Sequence, residues 1–398
     1  MPEQFTFVRD ILNLEGDSLL GLVAAITIWA APITGFVSLI GLVAVWLERK
    51  ISAHIQCRLG PMEVGPHGLL QTLADGIKLL GKEDLVPDKA DRVLFALAPM
   101  IVFAATYVSF AVIPFSQEGV IIDLDIGIFF LAAVGSLEAI GVVMAGWSSN
   151  NKWSLFGAIR AATQVVSYEV PLGLSLLAAV VCAGTMSLTE MTMAQSGWIW
   201  CWFIFRNPFM WAVFIIYFIA SLAECQRSPF DLPEAESELV SGFHTEYSGM
   251  RFAVFFLAEY GKMYVVSALG VVMFFGGWYS GIPALDNIGG LGGNLIGAGI
   301  MVTKSMLLVC VQMWIRWTLP RIRLDQVMDI CLKYLLPMAL GLLVLTSIWQ
   351  GLFPGEGAKY FGIVMMLAMV LAFLKMRGLV RTVTLKSSQQ TELPVFKI

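Results

Sequence analysis

Residues 223–249 read AECQRSPFDLPEAESELVSGFHTEYSG. The stretch holds six carboxylates, Glu224, Asp231, Glu234, Glu236, Glu238 and Glu246, against one arginine, Arg227, and one histidine, His244. In a soluble protein it would be an ordinary wet surface. Here it joins two apolar runs, 209–225 and 252–275. Acids crowded at the margin of a hydrocarbon zone must pair, share protons or bind cations. The stretch therefore marks a membrane fold and is also a candidate seat of its chemistry.

Working outward, the rest of the chain has the same character. Of 398 residues 58% are hydrophobic and 14% charged, where an ordinary globular domain carries about 25% charged residues. Mean hydropathy is +0.78. Against the roughly 20 apolar residues a bilayer requires, candidate spans fall at 19–47, 93–115, 126–147, 161–184, 209–225, 252–275, 295–315, 334–353 and 360–376. The expected fold is an all-α integral membrane protein, a bundle of about nine tilted transmembrane helices plus an amphipathic interfacial helix. Pro32 and Gly35 predict a kink or tilt in the first span. The segment WIWCWFIF, 198–205, reads as interfacial, because tryptophan favours the headgroup level. The glycine-rich GGLGGNLIGAG, 289–299, matches no phosphate cradle and reads as a turn entering the seventh span.

Composition excludes several function classes. No basic patch interleaved with aromatics points to nucleic acid. The six cysteines form no CxxC pair, the three histidines are far apart, and HExxH is absent. No metal or flavin is expected on this chain. The first 18 residues carry four acids and one arginine, the wrong charge for the start of a signal peptide.

With the N-terminus outside, 20 lysines and arginines fall on the inner side and only Arg9, Arg206 and Lys359 on the outer. That asymmetry predicts the acidic stretch and the C-terminus on the cytoplasmic side. The longest inner connection, 48–92, places Leu69, Leu70, Leu73, Ile77 and Leu80 on one helical face and Gln71, Asp75, Lys78 and Lys82 on another. It reads as an amphipathic helix at the membrane surface, either a plain anchor or one wall of a site.

Glu138, Glu169, Glu259, Lys262 and Lys304 fall within spans. At roughly 2.5–3.5 kcal/mol each, five lipid-facing charges would cost roughly 15 kcal/mol, which rivals a whole domain's stability. They must face the interior, pair or stay neutral. Glu259 and Lys262, at i and i+3, can form a local pair. Glu138 and Glu169 have no local basic partner. Asp231-Leu-Pro-Glu234 reads as a capping box opening a short helix, either a solvated acidic surface or part of a line of carboxyls leading into the membrane. In IRWTLPRIRLDQVMD, Arg316, Arg321 and Arg323 with Asp325 and Asp329 read as a topogenic loop or as a docking or anion-binding surface.

WLERKISAHIQCRLGP, LADGIKLLGKED, SYEVPL, the acidic stretch itself and RWTLPRIRLDQ occur in that order. Together they resemble the quinone-chamber membrane subunit of respiratory complex I, the NADH–quinone oxidoreductase, over about residues 20–350. The resemblance implies a bundle of tilted helices forming the membrane part of a quinone tunnel. Electrons would arrive from iron–sulfur clusters in partner subunits. By motif position Glu48, Arg49, Arg58, Asp75, Lys78, Glu224 and Arg227 would line or support the tunnel. Glu138, Glu169, Glu234, Glu236, Glu238, Glu246 and Glu259 would form a proton path toward antiporter-like subunits.

The implied partners are the soluble quinone-site and iron–sulfur subunits, small membrane subunits, antiporter-like subunits and membrane lipid. The implied location is a bacterial plasma membrane. Residues 1–353 form the family-like domain, and 354–398 add a further span and tail. The alternatives are a homologous subunit of a ferredoxin-dependent or hydrogenase-linked complex, or a free-standing ion antiporter. Against the last stands the lack of an internal repeat.

Overall fold

The computed structural model describes residues 19–233, 236–286, 288 and 290–353. Among these the chain is helical, without a strand. We label the principal helices α1 (Leu19–Ile55), α2 (Gln71–Leu80), α3 (Arg92–Val112), α4 (Gly127–Ser148), α5 (Lys152–Ala183), α6 (Met210–Glu224), α7 (Gly249–Phe274), α8 (Gly290–Thr318) and α9 (Leu324–Leu352). Among the described residues seven helices are long and apolar enough to cross a membrane, and α6 is apolar but shorter. These eight match the first eight predicted spans; the ninth, 360–376, and the 354–398 segment lie outside the described residues.

The core helix is α7. From Tyr260 to Phe274 every residue is buried, as expected of a helix that is apolar all round. It packs against α1, α3 and α8. The consecutive helices α3, α4, α5 and α6 pack neighbour on neighbour, and α9 lies against α5. Much of α8 and α9 faces outward with apolar side chains such as Leu307, Val344 and Ile348.

Local sequence sets the helix ends. Asp91 accepts from the backbone N–H groups of Val93 and Leu94 to cap α3, and Asn151 accepts from Trp153 N–H to cap α5. Gly184, at φ +77°, ends α5 in the left-handed conformation. Inside α9, Ile330–Leu335 forms a π turn. It is pinned to α5, where the Tyr168 hydroxyl donates to Val327 O at 2.9 Å and Cys331 Sγ to Ser167 O at 3.1 Å.

Three boundaries differ from the sequence expectation. α1 runs eight residues beyond its apolar stretch, to Ile55, because Glu48 and Arg49 find partners that let the helix carry charge inward. α8 begins at Gly290, not 295. Its glycines admit close backbone approach, and a Cβ on Gly293 would sit 1.7 Å from Ile288 O. In the acidic stretch the helical turn is Glu236–Leu239, later than the Asp231 cap predicts.

Candidate functional site

The short α6 explains how the acidic stretch enters the protein. Fifteen residues span only about 22 Å, less than the roughly 30 Å of hydrocarbon. The chain leaves the helix at Glu224, turns through Gln226 at φ +53°, and runs as irregular backbone that is buried in protein. Such backbone is tolerated at membrane depth only when its polar groups are satisfied. Gln164 of α5 does this, donating through Nε2 to the carbonyls of Ala223 and Phe230, both at 2.8 Å.

The fold builds two groups of buried charge around α7. In the first, Glu48 of α1 receives the Tyr260 hydroxyl at 2.6 Å, Arg316 at 2.5 Å and Arg227 at 3.4 Å. Arg227 Nε also lies 2.9 Å from Glu259, and its guanidinium sits 4.4 Å from the Tyr260 ring centroid. Two carboxylates and two guanidiniums balance here.

In the second group Lys262 lies 2.5 Å from Glu138 of α4 and 3.5 Å from Glu224 of α6, and donates to Glu224 O at 2.9 Å. Glu169 of α5 stands beside this group with the Ser136 hydroxyl against it. Three carboxyls against one ammonium cannot all ionise cheaply, so this group must share protons or hold water. A void of about 50 Å³ lies against Glu138, Glu224, Lys262, Thr106 and Ser109, room for about one or two waters.

Beside the first group lies a cavity of about 520 Å³ between α1, α2 and α7. Leu42, Val45, Leu73, Phe256 and Leu257 make it mainly apolar, and Arg49, Asp75, Lys78 and Tyr260 supply polar groups. That is the usual make-up of a small-molecule site. Arg49 bridges to Asp75 at 2.6 Å and so ties α2 to α1. The apolar face of α2 is open: Leu73, Ile77 and Leu80 are 48%, 63% and 66% exposed.

The predicted site residues divide accordingly. Arg49, Asp75 and Lys78 line the cavity. Glu48, Glu224, Arg227, Glu138, Glu169 and Glu259 belong to the buried groups. Arg58 is apart, exposed and bonded to Gln56 at 2.6 Å. Glu238, more than half exposed, pairs with Arg160 at the surface, and Glu246 accepts from Asn151 at 2.6 Å. Glu234 lies outside the described residues, and of Glu236 only its backbone turn is described.

Glu259 and Lys262 do not form their expected local pair: Glu259 reaches Arg227 in the irregular stretch after α6, and Lys262 reaches Glu138 of α4 and Glu224 of α6. Lys304 is held by the carbonyls of Phe275, Gly277 and Tyr279 at 2.6–3.2 Å, over the Trp202 ring. Sequence reasoning missed Tyr260, whose only signal was its place between Glu259 and Lys262. It also left Arg316 in a basic loop, although that residue closes an apolar helix as Glu48 does. Among the described residues no group of three or more His, Cys, Asp or Glu is disposed to hold a metal ion.

Residues 28–347 match the model of the family described as NADH dehydrogenase. The chain belongs to that family. This NADH dehydrogenase family chain is 50% identical over 353 residues to the NADH-quinone oxidoreductase H subunit of Chlorobaculum parvum, covering 85% of this chain and 97% of the relative. It is 42% identical over 368 residues to the protein of the same name from Anaeromyxobacter dehalogenans, covering 89% of each. The family match runs from α1 into α9 and takes in every residue of both buried charge groups.

Proposed function

We propose that this chain is the membrane subunit of a proton-translocating NADH–quinone oxidoreductase, in which the α1–α2–α7 cavity admits quinone and the buried carboxyls move protons. The observation that carries the reading is Tyr260. Its ring is a wall of the cavity, and its hydroxyl donates to Glu48 at the head of the buried charges. Quinone reduction takes up two electrons and two protons. A change of charge in the cavity alters the field on Glu48 and Arg227, then on Glu259, Lys262, Glu138 and Glu224. Pairs held this closely in a low dielectric respond strongly to such a change.

The chain supplies no electron carrier in this reading. Iron–sulfur clusters belong to soluble partner subunits, and antiporter-like and small membrane subunits receive the proton signal. The bundle sits in the lipid of a bacterial plasma membrane with the acidic stretch cytoplasmic, and Ile77 and Leu80 of the apolar face of α2 line the cavity beside Leu73. The donor is NADH, as the relatives' names support, in preference to ferredoxin or a hydrogenase.

The test is photolabelling of the intact complex with a quinone bearing a photoreactive tail. Labelled peptides are expected within 38–49, 72–80 or 250–260. Label confined to other segments of this chain, competed away by unmodified quinone, overturns the cavity reading.

A further inference from the structure

Gly76 stands in the middle of the ten-residue α2 and lines the cavity. A Cβ built there meets no heavy atom within 4 Å. The position opens onto empty space, with no neighbouring helix against it. Gly41, the cavity's other glycine, is different: a Cβ there would lie 2.4 Å from Leu257 Cδ1, so that glycine serves the contact of α1 with α7. Gly76 has no left-handed backbone to explain it either. Glycine inside a helix is less stable than alanine, and α2 is too short to hold alone in water. Neither backbone geometry nor packing calls for glycine at this position. What glycine adds is cavity volume.

The neighbouring residue fixes the scale. Asp75 is bridged to Arg49 of α1 at 2.6 Å, and Thr72, one turn before Gly76, is buried. Bulk added at 76 cannot be relieved by moving α2 outward without breaking that bridge. We propose that Gly76 sets the cross-section of the cavity, and so the breadth of quinone ring the chain accepts. The inference rests on the cavity being the quinone passage, and it adds a specificity-determining residue to it. A two-ring naphthoquinone is broader than a one-ring benzoquinone and reports the width directly.

The experiment is steady-state kinetics of the intact complex carrying Gly76→Ala or Gly76→Leu, with naphthoquinone and benzoquinone substrates of equal tail length. NADH oxidation by ferricyanide, which bypasses the cavity, counts assembled complex. Gly76→Leu is expected to raise KM for the naphthoquinone about tenfold more than for the benzoquinone. Gly76→Ala shifts the same ratio less, in the same direction, with α2 stabilised. If Gly76→Leu prevents assembly, the Gly76→Ala ratio decides. Unchanged ratios in every assembled variant overturn the inference. Photolabelling of the unaltered chain separates the two failures: label in the cavity with unchanged ratios removes the Gly76 role alone, and label elsewhere removes the passage itself.

Discussion

The Tyr260 hydroxyl donates to Glu48 Oε2 at 2.6 Å, from α7 to α1, at the point where the cavity meets the buried charges. Around this bond the guanidiniums of Arg227 and Arg316 converge on the same carboxylate.

Tyr260→Phe keeps the ring under Arg227 and the cavity wall, and removes only the donor. Quinone turnover is expected to fall by about tenfold or more if the hydroxyl carries a proton to or from Glu48, with KM little changed. Ferricyanide reduction by NADH serves as the assembly control. Full turnover and full pumping in Tyr260→Phe would show that the cavity and the charges are not coupled through this bond.

Among the described residues Lys262 is the sole cation paired with Glu138 and Glu224, and all three are withdrawn from water. Lys262→Met strands the two acids, and breaking such a pair costs about 3–5 kcal/mol. The melting temperature of the solubilised complex should drop. Adding Glu138→Gln should recover part of the loss, since the two sites share one interaction. Strict additivity of the two losses would sink the pairing.

Much of this was legible in the chain. Apolar runs gave nine spans, the first eight of which match helices among the described residues, and the alternation of leucines with Asp75 and Lys78 gave α2. The partners were not legible, because Glu48 with Arg316 and Glu138 with Lys262 are brought together by helix packing across more than a hundred residues. Local spacing suggested Glu259 with Lys262, and tertiary geometry overrode it. Nor could composition separate Glu224, buried at the end of a short helix, from Glu238 on the surface. Both read simply as acids of one stretch.

That separation is itself testable. Glu224 is buried beside Lys262, whereas Glu238 is 56% exposed and paired with Arg160. Glu224→Gln is expected to slow quinone-linked turnover severalfold in assembled complex. Glu238→Gln breaks only a surface pair, a loss of about 0–1 kcal/mol, and should leave turnover near that of the unaltered complex. Equal slowing by both would extend the relay into the loop and contradict this division between buried and surface acids.

Orientation rests on the charge asymmetry along the sequence. A reporter active only in the cytoplasm is expected to be active when fused after Ile398 and silent when fused after Lys359. Silence at both positions would remove the ninth span; activity at both would remove it and invert the orientation as well; silence at Ile398 with activity at Lys359 would invert the orientation alone.

His244 makes stability depend on pH. Its ring lies among Phe243, Phe252 and Phe255, with centroids 3.8, 5.7 and 5.4 Å away. Burial there pushes the imidazole down from 6.5 to about 3, since the charged form loses its hydration. A folded-state value below the unfolded one means that the unfolded chain binds the proton first. This contribution is fully present above pH 6.5 and is lost as pH falls from 6.5 toward about 3. The slope approaches about 1.4 kcal/mol per pH unit inside that window. His244→Phe keeps an aromatic ring and removes the titration. Melting temperatures of the two proteins, followed from about pH 7.5 down to about pH 5, should diverge below 6.5, with the variant increasingly the more stable. Groups common to both proteins cancel in the difference. Parallel curves across the range would mean that His244 is solvated, or already charged, in the folded protein.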